Sequence, residues 1–179
     1  MKTANPQAPT AAIYEWNHFG KLFHPKDLDY RRWVPEYAAT TTETANLLGG
    51  GTPRFTIIHL VSADMAGHEH TWGSPAYIQG IEFVDSQVGT IVKQLKANGT
   101  LNQTLLVLAS DHGGVDHGHG GSSDTELYTA VVFNGPGVKQ GLRLKGMTQN
   151  VDITATLYDV LGLTPKVPLK GIPLKIIWE

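Results

Sequence analysis

The sequence predicts an α/β fold, a mostly parallel sheet flanked by helices, and three observations carry that expectation. Phe55 to Val61 and Leu105 to Ala109 are short runs of apolar and β-branched residues, the pattern of strands buried on both faces. Between them, Ile78, Ile81, Val84, Val88, Ile91, Val92 and Leu95 recur at helical spacing. Tyr128 to Phe133 then offers a further strand and Val151 to Leu161 a further helix. Strand, helix, strand, loop, strand, helix is the order of an α/β sandwich.

Taken in order, Met1 to Thr10, with Pro6 and Pro9, reads as a flexible lead-in, and residues 11–179 read as one domain. Ala11 to Tyr14 suits a short strand. Trp16 to Pro35 is aromatic and mixed in charge without a clean period, which predicts loop plus a short helix. Thr40 to Leu48 suits a helix stopped by Gly49-Gly50-Gly51. Ser74 and Pro75 fit the cap and first position of the long helix, and Asn98-Gly99 ends it. Asn134-Gly135-Pro136-Gly137 closes the strand before it. Asp152 lies near the start of the last helix, where it complements the helix dipole, and Gly162 lies just past its end.

Composition narrows the function classes. With 41% hydrophobic and 17% charged residues, the 179-residue chain can bury a core. A net charge of −2 without any basic run argues against binding a nucleic-acid polymer. No apolar stretch is long enough to span a bilayer. Met1 to Thr10 holds one Lys and no apolar core, so no secretory signal is expected in this chain, and with no cysteine the redox compartment is unreadable; localisation stays open. Asn98-Gly99-Thr100 and Asn102-Gln103-Thr104 match the glycosylation acceptor triplet, a pattern that arises often by chance.

Three short stretches carry the chemistry. Asp64 and His68 are four apart, with Gly67 between them; on a helical turn they share one face. The bland alternative is a helix-capping Asp64 beside a surface His68. Ser110-Asp111-His112-Gly113 follows the second apolar strand. Asp111 and His112 can serve one ion only if the chain leaves the strand there, which Gly113-Gly114 permits; the alternative is a capping Asp and a loop His. Gly118-His119-Gly120-Gly121 lets His119 pack closely around an ion, the alternative being a mobile loop residue. Because strands of an open α/β sheet face the ligand crevice with their carboxyl ends, both acids are expected at the same edge of one sheet. A donor set of Asp and His without cysteine suits zinc or manganese. His70 and His117 lie close in sequence and are expected behind the ligands, facing substrate, or merely exposed, rather than as ligands. His59, inside its strand, is expected to be a satisfied core histidine, and His18 and His24 form no pattern.

These residues resemble the alkaline phosphatase superfamily, and within it the type I phosphodiesterase/nucleotide pyrophosphatase-like branch. The tail adds to the resemblance: Asp152-Ile153-Thr154-Ala155-Thr156-Leu157, Leu161-Gly162-Leu163 and Pro165 are similar to the closing helix and loop of its sulfatases and phosphodiesterases, with Ala155 where Pro is frequent. Gly135-Pro136-Gly137-Val138 is similar to the turn after the family's strand. The resemblance runs from about Ala11 to the C-terminus. It implies two divalent metal ions about 4 Å apart, most simply zinc, with manganese the other choice. It makes Asp64, His68 and His119 the ligands of one ion, and Asp111 and His112 two of the three ligands of the other. The family's remaining Asp ligand and its Thr or Ser nucleophile, which forms a phospho-enzyme intermediate, belong to an earlier part that has no counterpart here. The implied fold is therefore the C-terminal part of an alkaline phosphatase-like domain. Thr40, Thr41 and Thr42 are read as helix-cap residues rather than as that nucleophile.

The resemblance implies a metal-dependent hydrolase of phosphoric esters acting on a phosphate-ester small molecule, inactive by itself for want of an N-terminal half. The alternatives are a sulfatase-type or phosphoglycerate mutase-type member, or a non-catalytic remnant that binds metal or a partner. Family members are often secreted or periplasmic.

Overall fold

The computed structural model describes residues 5–178. Its centre is strand β1 (Thr10–Tyr14), in which Ala11, Ala12 and Ile13 are wholly buried. β1 is flanked by two parallel neighbours, β2 (Tyr30–Trp33) and β3 (Phe55–His59), in the order β2-β1-β3. Ile13 lies opposite Arg32 on one side and Ile58 on the other. A central parallel strand is covered on both faces, so it tolerates an unbroken run of small and apolar residues.

Helix α1 (Tyr37–Gly49) lies between β2 and β3 in sequence, and α2 (Ser62–His70) follows β3 after a two-residue step. α3 (Pro75–Ala97) begins where Ser74 Oγ accepts from the Tyr77 N–H, with Pro75 at the first helical position, as read from the sequence. Its C-terminal half supplies Ile91 and Leu95, which pack with Leu48 of α1, Ile58 of β3, Leu101 and Leu106. Its N-terminal half packs on α2 and leaves Ile78, Ile81 and Phe83 between 38% and 46% exposed. The apolar stripe is thus covered only over its second half.

Strands β4 (Leu106–Ala109) and β5 (Val131–Asn134) form a separate antiparallel pair, with Val107 opposite Phe133. Between them lie the two glycine-rich motifs and a one-turn helix, α4 (Asp124–Leu127). α5 (Asn150–Val160) closes the fold, and its Asp152 accepts from the Gln149 and Ile172 N–H groups, which ties the C-terminal segment to its first turn.

Three sequence readings need adjusting. Residues 16–35 hold two 3-10 turns, Asn17–Leu22 and Pro25–Asp27, and then β2, which was read as loop. β2 is an edge strand with Arg31, Arg32 and Trp33 exposed, so it shows no apolar alternation. The strands that precede Asp64 and Asp111 belong to two ladders rather than to one. Of the expected lead-in, residues 1–4 lie outside the described residues; Asn5 to Pro9 form a turn with Ala8 buried, and Thr10 already opens β1. Among the described residues no helix is long and apolar enough to cross a membrane.

Candidate metal centre

The site is built on the step from β3 into α2. The buried Glu15, just past the end of β1, accepts from the Val61 N–H at 2.6 Å and fixes that step. Asp64 then falls in the first turn of α2, where the helix dipole favours a carboxylate, and His68 stands one turn later on the same face. Asp64 Oδ1 lies 3.7 Å from His68 Nε2 and 3.6 Å from His119 Nε2. One donor atom from each of the three residues lies within 4.8 Å of the others.

The second half of the site arrives on the loop between β4 and α4. β4 ends at Ala109, so Asp111 and His112 are free of strand geometry. The His112 ring stacks on His119 at 3.7 Å between centroids and 19° between planes. His112 Nε2 lies 3.6 Å from Asp111 Oδ2, and the Asp111 side chain is 80% exposed. The structure therefore gathers Asp64, His68 and His119 into one cluster, sets His112 against it, and leaves Asp111 beside His112 and largely in solvent.

Two contacts lock the loop to α2. His68 Nδ1 is 2.8 Å from the His117 carbonyl, and His117 Nδ1 is 2.9 Å from the His68 carbonyl. An imidazole that donates from Nδ1 to a carbonyl keeps its Nε2 lone pair for a cation. Trp72 donates its N–H to the Asp116 carbonyl, and its indole meets His68 and His119 edge-on. Gly67 and Gly114 make room for that indole: a Cβ on either would fall 2.6 Å or 2.2 Å from its nearest ring atom. His70 is exposed and 3.8 Å from Glu69, away from the cluster.

Trp72, Glu15 and Glu126 join the site outside the three motifs: Trp72 and Glu15 meet partners far along the chain, and Glu126 holds Gly121 and Ser123 a few residues away. The sequence predicts a satisfied core histidine at His59. His59 is half-buried and stacked on Phe19 at 4.3 Å, but its Nδ1 is buried with no hydrogen-bond partner. Burial pulls the His59 pKa below the usual imidazole range, with Asp111 and then Asp64 pulling the other way. Burial, and after it the charge of Asp64, pushes the Tyr77 phenol upward. The carboxylates thus act on groups well beyond their own contacts.

The residues present fit a divalent cation. Asp64 Oδ1 is buried, makes no hydrogen bond, and faces two Nε2 atoms. A buried acceptor left unpaired is costly unless a cation completes it. The donors in this cluster are carboxylate oxygen and imidazole nitrogen, so it is not a thiolate site.

Fold and cluster together define an α/β protein of the alkaline phosphatase-like kind. The family model for type I phosphodiesterase / nucleotide pyrophosphatase matches residues 4–147, and the chain belongs to that family. It is 34% identical over 98 residues to a choline-sulfatase of Rhizobium meliloti (strain 1021), covering 50% of this chain and 18% of that protein. Among solved structures, phosphoglycerate mutase of Leishmania mexicana superposes with a TM-score of 0.63 at 16% identity, covering 94% of this chain and 37% of that one. An inactive form of murine ectonucleotide pyrophosphatase / phosphodiesterase 5 in complex with AMP gives 0.51 at 19% identity, covering 63% and 31%. The chain spans less than a fifth of the length of the curated relatives it matches.

Proposed function

We propose that the chain carries the metal-binding part of a metal-dependent hydrolase of phosphoric esters, with Asp64, His68 and His119 as the ligands of one ion, most simply zinc, and Asp111 and His112 contributing to a second. The observation that carries this reading is the buried, unpaired Asp64 Oδ1 set between two imidazole Nε2 atoms. Bound metal supplies a Lewis acid for the phosphoryl oxygens. This chain's own residues hold and orient the ligands: His68 through the His117 carbonyl, and His119 through its stack on His112. The AMP held by the murine phosphodiesterase supports a phosphate-ester small molecule as ligand.

By themselves the 179 residues should bind metal and hydrolyse little. Three protein ligands make an open site that leaves a position for substrate, whereas Asp111 and His112 offer two, one of them largely in solvent. Thr40 is wholly buried in α1, which does not suit an attacking hydroxyl, and Thr41 and Thr42 stand in the same helix. Calorimetric titration with zinc and with manganese should show one site per chain, lost in His119→Ala. A wild-type chain that binds neither metal, or a variant that binds equally well, overturns the reading. Turnover of a phosphodiester should stay near background; strong turnover abolished by His119→Ala would place a working nucleophile within these residues. The similarity to a choline-sulfatase favours a second reading, sulfate ester hydrolysis, for which an aryl sulfate in the same assay is the control.

A further inference from the structure

We propose that Glu126 is a positioning residue for the metal centre: one buried acid fastens both loops that carry the histidines and so sets where His119 stands relative to His112. The proposal rests on the metal-centre reading for its consequence, and on hydrogen-bond geometry for its substance.

Glu126, in the one-turn helix α4, is only 8% exposed. Its Oε1 accepts from the Gly121 N–H at 2.7 Å, and its Oε2 accepts from the Ser123 hydroxyl at 2.6 Å and the Ser123 N–H at 3.2 Å. Its carbonyl accepts from the Gly113 N–H at 2.8 Å. The side chain thus anchors the loop two residues beyond His119, and the main chain anchors the turn one residue beyond His112. The bonds from Ser123 and Gly121 hold the carboxyl below the usual range, with the His119 imidazole adding a smaller pull in the same direction.

A capping box alone does not account for this arrangement. In that motif the acid reaches back to the N–H of the cap residue. Glu126 also reaches past Ser123 to Gly121, a bond that stabilises no part of α4 and acts only on the His119 loop. The approach is close: a Cβ on Gly121 would lie 2.6 Å from Glu126 Oε2, so the carboxylate would have to shift to admit it. On the other side, a Cβ on Gly113 would lie 2.0 Å from the Thr125 carbonyl oxygen, so the turn bearing Asp111 and His112 is pressed against the backbone that presents Glu126. Glu126 is thus the residue at which the His112 turn and the His119 loop are held to each other.

The test uses the full chain and Glu126→Gln, which keeps the shape of the side chain but turns one acceptor into a donor facing N–H and O–H groups. Two readouts are taken. The first is cobalt(II) affinity from the visible absorption of the bound ion. The second, without metal, is the NMR contact between the His112 and His119 rings. Affinity should fall by about 10–100-fold, the usual effect of removing a group that orients a ligand, and the ring contact should disappear. Ser123→Ala is the control for a capping role: it removes one bond to the carboxylate, leaves the Gly121 bond, and should change affinity less than about threefold against that range.

An undisturbed ring contact in Glu126→Gln overturns the proposal, and so does an equal loss of affinity in Ser123→Ala. If wild-type protein binds no cobalt, the ring contact decides alone: its loss sustains the positioning role while the metal reading falls. Should Glu126→Gln fail to fold, Gly121→Ala, whose Cβ displaces the carboxylate, is judged by the same two readouts.

Discussion

Replacing Gly114 by alanine probes the joint between the two halves of the site. Gly114 is not among the positive-φ glycines, so its backbone accepts alanine, and the loss of unfolded-state freedom alone would stabilise the variant by about 0.4–1 kcal/mol. The added Cβ, however, would lie 2.2 Å from Trp72 Cε2, 2.4 Å from Cδ2 and 2.7 Å from Nε1. Relief requires the indole or the loop to move by about an ångström, to reach ordinary van der Waals separation. The indole is restrained on several sides. Its backbone N–H is bonded to Asp116 at 2.8 Å, Gly67 packs against the same ring bond, and the rings of His68 and His119 meet its edge at 5.1 and 5.9 Å. Overpacking of this kind costs about 1–3 kcal/mol, which at the centre of both ranges leaves a net loss of about 1.3 kcal/mol after the alanine gain. For a chain of this size that lowers the melting temperature by roughly 3–5 °C. The assay is thermal unfolding followed by circular dichroism, with a double-mutant cycle against Trp72→Leu. Removing the indole should abolish the cost of Gly114→Ala and give a coupling of about 0.5–3 kcal/mol. A Gly114→Ala variant as stable as wild type, or one equally destabilised when Trp72 is absent, would refute the wedge.

Two stability predictions concern buried or capping acids. Burial raises the Glu15 pKa in the fold above its unfolded value, so its contribution is complete below the unfolded pKa and is lost as the pH rises through the folded value. Glu15→Gln lacks that loss and should gain on wild type as the pH rises above the ordinary Glu value of about 4.3; urea unfolding showing an offset that stays constant as the pH rises would contradict it. Asp152 accepts from the Gln149 and Ile172 N–H groups at 2.8 Å each, and both bonds hold its pKa down. Asp152→Ala should destabilise by about 0.5–1.5 kcal/mol per bond lost. Because a lowered pKa gives stability that is lost as the pH falls through the folded value, the gap from wild type should close below about pH 4, a range set by the ordinary Asp value; chemical unfolding at neutral and acid pH measures both.

What the sequence made legible was local. α3 runs from Pro75 to Ala97 as expected because its limits are set by the Ser74 cap, the proline after it, and the Asn98-Gly99 stop. The spacing of Asp64 and His68 indicated a shared helical face. α2 itself was not read as an element, since Ser62–His70 buries only Gly67 and offers no apolar stripe. β2 was missed for a related reason: an edge strand with exposed Arg31 and Arg32 has no alternation to detect. Trp72 is not legible because Gly114 and Asp116 lie on a distant loop, whereas Glu126 finds Gly121 and Ser123 nearby and only Gly113 further off. Ser123-x-x-Glu126 is a capping-box pattern and was the one signal present for the acid. It points to α4, however, and not to Gly121.

The separation of β3 and β4 into two ladders changes what holds the site together. Had both strands delivered their acids to one sheet edge, the distance from Asp64 to the second motif would be set by strand pairing, the stiffest part of such a fold. Instead β3 pairs with β1, β4 pairs with β5, and Asp64 still lies 3.6 Å from His119. That distance is set by contacts from loop to helix: the reciprocal His68 and His117 bonds, the Trp72 N–H on the Asp116 carbonyl, and the indole seated on Gly67 and Gly114. Glu126 then fixes the far end of the loop through Gly121, and its carbonyl holds the Gly113 turn. Apart from the indole these contacts are hydrogen bonds, and they open more easily than a paired sheet because little apolar area is lost when they break. The geometry of the Asp64, His68 and His119 cluster therefore follows the local stability of residues 110–126 rather than that of the β1 core. A bound cation would add one more bridge between α2 and that loop. Binding would then stabilise the closed arrangement by an amount set by the free metal concentration relative to its intrinsic Kd, and the more often the loop is otherwise open, the weaker the apparent affinity.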